Sequence, residues 1–183
     1  MKSITAHLLA TYAQLVTDRV TARLENTLGS SGQAAAAIIH LGHAPGSSIT
    51  QLSQVLSLSH PGTVRLVDKL VDERMVERFK GRDGREKRLS LTANGDAMRN
   101  TLLQQRQEAV MEVMGALSDA EWDMMREFLA RLLRSAGQGD LGRQRMCRLC
   151  DPGLCLFYHN LKSTPDTPTA LPLEGACDLY RTA

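Results

Sequence analysis

Four cysteines lie beyond residue 146 of this 183-residue chain, and the residues before them hold none. Their spacing is Cys147-x2-Cys150-x4-Cys155, with His159 four residues on and Cys177 after a gap of twenty-one. A single C-x2-C in a chain that reads as cytoplasmic suits a metal better than a structural disulfide. Zinc takes four nitrogen or sulfur ligands in a tetrahedron. Cys147, Cys150 and Cys155 supply three, and Cys177 or His159 the fourth; Pro152-Gly153 is the turn that lets the first three converge. Two other chemistries fit the same residues. One is a redox switch, in which thiolates oxidise and reshape the protein. The other is an iron–sulfur cluster held by cysteines. The plain alternative is a flexible tail with unliganded thiols, because STPDTPTALP before Cys177 has three prolines and no helical pattern.

A second concentration of chemistry lies at 78–95, RFKGRDGREKRLSLTANG. Six of the eleven residues from Arg78 to Arg88 are Lys or Arg, opposed by Asp83 and Glu86, although the whole chain carries only +2. A protein of nearly balanced charge that binds nucleic acid must concentrate its positive charge locally. Such a run alone is usually a solvated face, so the elements around it decide.

Those elements are mostly helical. Aromatics are scarce, at 4%, and Leu, Ala, Met, Arg and Glu are plentiful, which favours helix over sheet. Ile4, Leu8, Tyr12, Leu15, Val16, Val20, Leu24 and Leu28 form one apolar stripe on a long first helix. GSSG at 29–32 ends it. GQAAAAIIHLGH is a second helix, stopped by APGSS at 44–48. Ser48 caps a short helix whose inner face is Leu52, Val55 and Leu56. Ser59 caps the next, with Pro61 in its first turn and Val64, Val67, Leu70 and Val71 inward. Two short helices on a tight turn make a helix-turn-helix. Ser59, His60, Gly62, Thr63, Arg65 and Lys69 then fall on other faces, several near the N-terminus, where a recognition helix meets base edges.

MVERFK and KRLSLT alternate as strands around the turn GRDGRE. The basic stretch is therefore a two-stranded hairpin directly after a helix-turn-helix, which is a winged helix. Thr92 caps a helix running from Ala93 to Leu117. SDAE at 118–121 is a capping box opening another, whose stripe is Trp122, Met125, Leu129, Leu132 and Leu133. GQGDLG at 137–142 ends the compact part.

The fold class is mainly α. It divides into a dimerisation helix at 1–28, a winged helix-turn-helix at 29–92, dimerisation helices at 93–136 and a cysteine-containing tail at 137–183. The long end helices carry more apolar surface than one small domain covers, so a twofold dimer is the economical arrangement. The Met-rich stretch at 111–125 reads as core. His7, His40 and His43 are the candidates for a second metal site, although a lone histidine on a helix is usually a surface or core residue. No eighteen-residue apolar run exists, so no membrane helix is expected.

The chain from about residue 5 to 136 resembles the MarR (multiple antibiotic resistance regulator) family. The resemblance rests on LSLSHPGTVRLVDKLVDERMVERF followed by RDGREKRLSLTANG, in which Asp83, Arg85, Leu91 and Thr92 match the family's wing pattern. It implies a homodimer on a pseudo-palindromic operator, usually a repressor released by a signal such as a small-molecule inducer. It also implies that the helix from Ser59 enters the major groove and that Arg85 enters the minor groove, whose negative potential suits an arginine. Asp83 would orient Arg85, while Lys80, Arg82, Lys87 and Arg88 would meet phosphates. The family's peroxide sensors use an N-terminal cysteine, which this chain lacks. Two other classes compete. A winged helix used only for protein contact would not need the basic wing. An enzyme built on the cysteines would need a general base and a rigid pocket, and the Pro-rich tail offers neither.

Overall fold

The computed structural model describes residues 1–81, 87–115, 117–136 and 139–150. Helix α1 (Lys2–Leu28) ends at Gly29, whose φ of 65° supplies the left-handed cap. Helix α2 (Gly32–His43) is buried from Ala34 through Leu41. A helix apolar all round belongs at the centre of a core, and α2 packs against α1, against α3 (Ile49–Leu56) and against α5 (Ala93–Met114). Helix α4 (His60–Asp72) follows α3 across a turn in which Ser57 adopts φ 55°. Strands β2 (Val76–Lys80) and β3 (Lys87–Leu91) form the hairpin, with Lys80 opposite Lys87 at its outer end.

The expected caps are formed. Ser48 Oγ accepts from the Gln51 amide at 3.2 Å, and the Gln51 side chain accepts from the Ser48 amide at 2.8 Å. Ser59 Oγ accepts from Gly62 N at 3.2 Å, and Thr92 Oγ1 from Gly95 N at 3.1 Å. Gly95 must be glycine, because a Cβ there would meet the Met75 carbonyl oxygen at 2.0 Å. Thr92 also donates to Arg74 O at 2.6 Å, so one threonine closes the wing and starts the next helix. Helix α6 (Asp119–Ala136) opens with the Glu121 carboxylate accepting from Ser118 Oγ at 2.6 Å and from Ser118 N at 2.8 Å; these bonds, the hydroxyl's first, hold Glu121 below its ordinary carboxylate pKa.

Four features depart from the sequence expectations. A short strand β1 (Ser47–Ser48) adds a third strand to the wing, in the order β1-β3-β2. Helix α5 ends at Met114 rather than Leu117, and Gly115 follows with φ 64°. The chain does not finish at GQGDLG: α7 (Gly139–Met146) follows and packs back against α3. Finally, α4 buries Val67 and Leu70 as expected and packs Val71 against the core, but it buries Thr63 while Val64 is only half-buried.

The core joins α2 to Val20 and Leu24 of α1, Leu52 and Leu56 of α3, Val67 and Leu70 of α4, Val76 and Leu89 of the wing, and Leu102 and Ala109 of α5. The rest of α1 stays uncovered: Ile4 is 66% exposed, and Leu8, Leu9 and Leu15 are also open. Helix α6 is more exposed still, with Met124 at 69% and Phe128, Leu129, Leu132 and Leu133 open; Ala130 alone is buried among its described side chains.

Candidate nucleic-acid interface

Helix α4 presents two unlike halves. Its N-terminal half exposes Ser59, His60 and Arg65, and its first turn contains no acidic residue. The positive dipole end there favours an anion, although Ser59 Oγ already takes the Gly62 amide and Pro61 has none to offer. Its C-terminal half is tied to the protein. Asp68 pairs with Arg78 of β2 at 2.6 Å, which pins the wing to the helix. Lys69 Nζ donates to Ser30 Oγ at 2.9 Å and lies 3.7 Å from Glu73, so it braces α4 against the α1–α2 turn. Sequence reasoning did not single out Arg78; only the partner on α4 reveals its role.

The sequence candidates separate accordingly. Arg65, His60, Lys80 and Lys87 are exposed. Ser59 is exposed too, with its hydroxyl engaged in the cap. Gly62 is half-buried, and a Cβ there would come within 3.1 Å of Ser59 Oγ. Thr63 is a correction: it is 0% exposed, and its hydroxyl donates to Ser59 O at 3.0 Å, so it seals the helix instead of facing outward. Arg88 is turned inward, with NH1 3.0 Å from Gly46 O and 3.5 Å from Gln51 Oε1, joining the wing to the base of α3. Arg82, Asp83 and Arg85 lie outside the described residues.

The neck of the wing carries an unusual pair. Lys80 and Lys87 are direct antiparallel neighbours and both are exposed. Like charges facing each other across a ladder are destabilising. An anion lying across the pair would relieve that repulsion.

The metal candidates are only partly described. Cys147 is buried and Cys150 half-buried, at the end of α7; Cys155, His159 and Cys177 lie outside the described residues. His7 does not join the other two histidines. It sits on the exposed first turns of α1, whereas His40 and His43 are buried in α2. Burial, helped by His43, lowers the His40 pKa from 6.5 to about 4, so it is a neutral core residue. Among the described residues no group of three His, Cys, Asp or Glu side chains is placed to hold a metal. No helix of the described residues is long and apolar enough to cross a membrane.

Residues 28–86 match the family model described as MarR family. No curated protein is matched. Among solved structures, apo wild-type MarR from E. coli aligns with a TM-score of 0.62 and 22% identity, covering 70% of this chain and 95% of that one. A Mycobacterium tuberculosis MarR family protein in complex with DNA aligns with a TM-score of 0.58 and 21% identity, covering 69% and 95%. The same M. tuberculosis protein in complex with salicylic acid aligns with a TM-score of 0.56 and 23% identity, covering 69% and 94%. At these identities the likeness is one of fold.

Proposed function

We propose that this MarR-family chain, matched over residues 28–86, is a cytoplasmic transcriptional repressor, not an enzyme, that binds duplex operator DNA as a homodimer. The observation that carries the reading is a helix-turn-helix followed by a wing, with Arg65 exposed on α4 and the cations Lys80 and Lys87 exposed at the neck of the hairpin. Arg65 would read a base edge, since arginine to guanine is the commonest specific contact. Lys80 and Lys87 would meet phosphates, and phosphates between them would relieve their mutual repulsion. The wing sequence adds Arg82 and Arg85 to the same side of the argument. Thr63, Lys69 and Arg88 drop out of the contact set and act as supports.

The homodimer is supported by the uncovered apolar faces of α1 and α6. Exposed apolar surface on this scale marks an interaction site. The ends of the chain are where a twofold partner would cover it.

Selection of duplexes from a random pool tests the whole reading. A recovered pseudo-palindrome whose affinity falls steeply with salt, through counterion release, is the expected result. Recovery of no preferred sequence, with no salt-dependent binding, would overturn it in favour of a protein-contact module.

A further inference from the structure

The turn that delivers the recognition helix is built on the end of α3, and a residue from far along the sequence joins it. Ser57 N donates to Gln54 O at 3.4 Å, and Leu58 N to Ser53 O at 3.0 Å. Arg145 of α7 donates from Nε to the same Gln54 carbonyl at 2.8 Å, one of those that a helix C-terminus leaves open. Both donors converge on one oxygen, so the Arg145 guanidinium lies beside Ser57, two residues before the Ser59 cap of α4. Gln54, Ser57 and Arg145 are all exposed. The guanidinium therefore sits on the open side of the turn.

Its backbone is held from behind. Helix α7 packs on α3. Two residues on, Cys147 is 7% exposed, and Leu149 packs on the core. Cys150 N donates to Cys147 O at 2.8 Å and closes a turn. His43 of α2 holds that turn, with Nε2 2.6 Å from Cys150 O and Nδ1 3.2 Å from a guanidinium nitrogen of Arg99 in α5. A guanidinium can only donate, so Nδ1 accepts and Nε2–H donates to the carbonyl. Arg148 NH1 donates to Arg145 O at 2.6 Å. Arg145 is thus mounted on a fixed segment, and a partner would have little chain freedom to remove on binding it.

One nitrogen does the anchoring, and the two terminal nitrogens remain. Among the described residues they make no hydrogen bond, and Arg145 is in no ion pair. The sequence holds no Asp or Glu from Asn26 to Val67, a stretch that includes α2, α3, the turn and the N-terminal half of α4. Helix α7 carries one acid, Asp140, five residues before Arg145 and outside the spacing at which helix side chains pair. Capping α3 needs a single N–H. A guanidinium with its terminal fork open also matches a phosphate. In a helix-turn-helix the second helix enters the groove by its N-terminus while the first crosses the backbone. The anion that reaches this turn is therefore a phosphate of the duplex.

We propose that α7 is a further DNA-contacting element, in which Arg145 binds a backbone phosphate beside the bases read by α4. The proposal rests on the DNA-binding reading above and adds to it a cation brought from the far end of the chain onto the helix-turn-helix. Phosphate contacts fix register and carry no sequence information directly. Arg145 then contributes affinity without base preference, once per protomer.

The test uses the full chain and the duplex recovered by selection, with binding measured across a salt series. Arg145→Gln removes the charge and can still donate to Gln54 O, so it should fold. It is expected to lower the slope of log affinity against log salt by about 1 per protomer, and to weaken selected and random duplexes by the same factor. Arg145→Lys keeps the charge and should keep the wild-type slope. Duplexes carrying one neutral methylphosphonate at a time locate the contact. One position per half-site should weaken the wild type and leave Arg145→Gln unaffected, since each change removes the same interaction. A wild-type slope in Arg145→Gln, with the same methylphosphonate pattern as the wild type, would overturn the contact and leave Arg145 a cap on α3. A loss confined to the selected duplex would overturn the phosphate as its partner. Wild-type binding that ignores salt would instead sink the DNA reading, and this contact with it.

Discussion

The winged unit and the long helices treat their apolar residues in opposite ways. In the winged unit, Leu52, Leu56, Val67, Leu70, Val76 and Leu89 are sealed inside, and the exposed groups are mostly polar or charged, Arg65, Lys80 and Lys87 among them. In α1 and α6, Ile4, Leu8, Leu15, Leu129, Leu132 and Leu133 lie open. The first region is finished as a single chain except for a missing anion. The second is unfinished until another apolar surface covers it. One surface asks for DNA and the other for a second copy, and each request can be broken separately.

The largest effect is expected from the long helices. Leu8→Glu with Leu132→Glu should give a folded chain of half the sedimenting mass. Joining two half-site binders typically gains 10²–10⁴-fold, so the operator affinity of this variant should fall by about that much. A chain that is already monomeric before mutation would break the comparison, and the open stripes would need another explanation.

The next effect lies at the joint between the two regions, on buried His40. Its folded pKa of about 4 is below the ordinary 6.5. In that window the unfolded chain binds more protons than the folded one, so stability rises with pH. It should be fully present above about pH 6.5 and be lost toward pH 4, by on the order of 3 kcal/mol. Urea midpoints across that window check this, and His40→Leu should flatten the slope attributable to this residue. An unchanged slope in the variant would mean that other groups carry the acid lability.

Smaller effects sharpen the winged side. Arg65→Ala should cost about 1–3 kcal/mol on the selected duplex and relax preference at one base position. Equal losses on random DNA would make Arg65 a phosphate contact. Lys87→Ala should weaken all duplexes similarly and reduce the salt slope by about 1. It should also leave the fold as stable or slightly more so, because the Lys80–Lys87 repulsion goes with it.

Much of this was legible in the chain because the signals are local. Ser48, Ser59 and Thr92 announced their helices, since a cap is a hydrogen bond to a residue two or three positions on. The hairpin was legible from alternation around a glycine turn. The burial of Thr63 was not. Thr63 reads as polar, yet its hydroxyl is satisfied by the helix itself at Ser59 O, which lets it face the core. Lys69 and Arg88 read as free cations, but their partners Ser30, Gly46 and Gln51 are distant in sequence. Strand β1 is only two residues long and exists because β3 offers it an edge.

The sequence by itself determined the helices, their caps, the hairpin and the concentration of charge beside it, because each depends on residues within a few positions of one another. Only the tertiary structure decided which cations stay free and that α7 returns to α3. GDLGRQRM has two glycines and little intrinsic reason to be a helix. The bonds of Arg145 to Gln54 and of Cys150 to His43, 91 and 107 residues earlier, and the packing of Leu149 on the core hold it there, and short helices draw most of their stability from such packing.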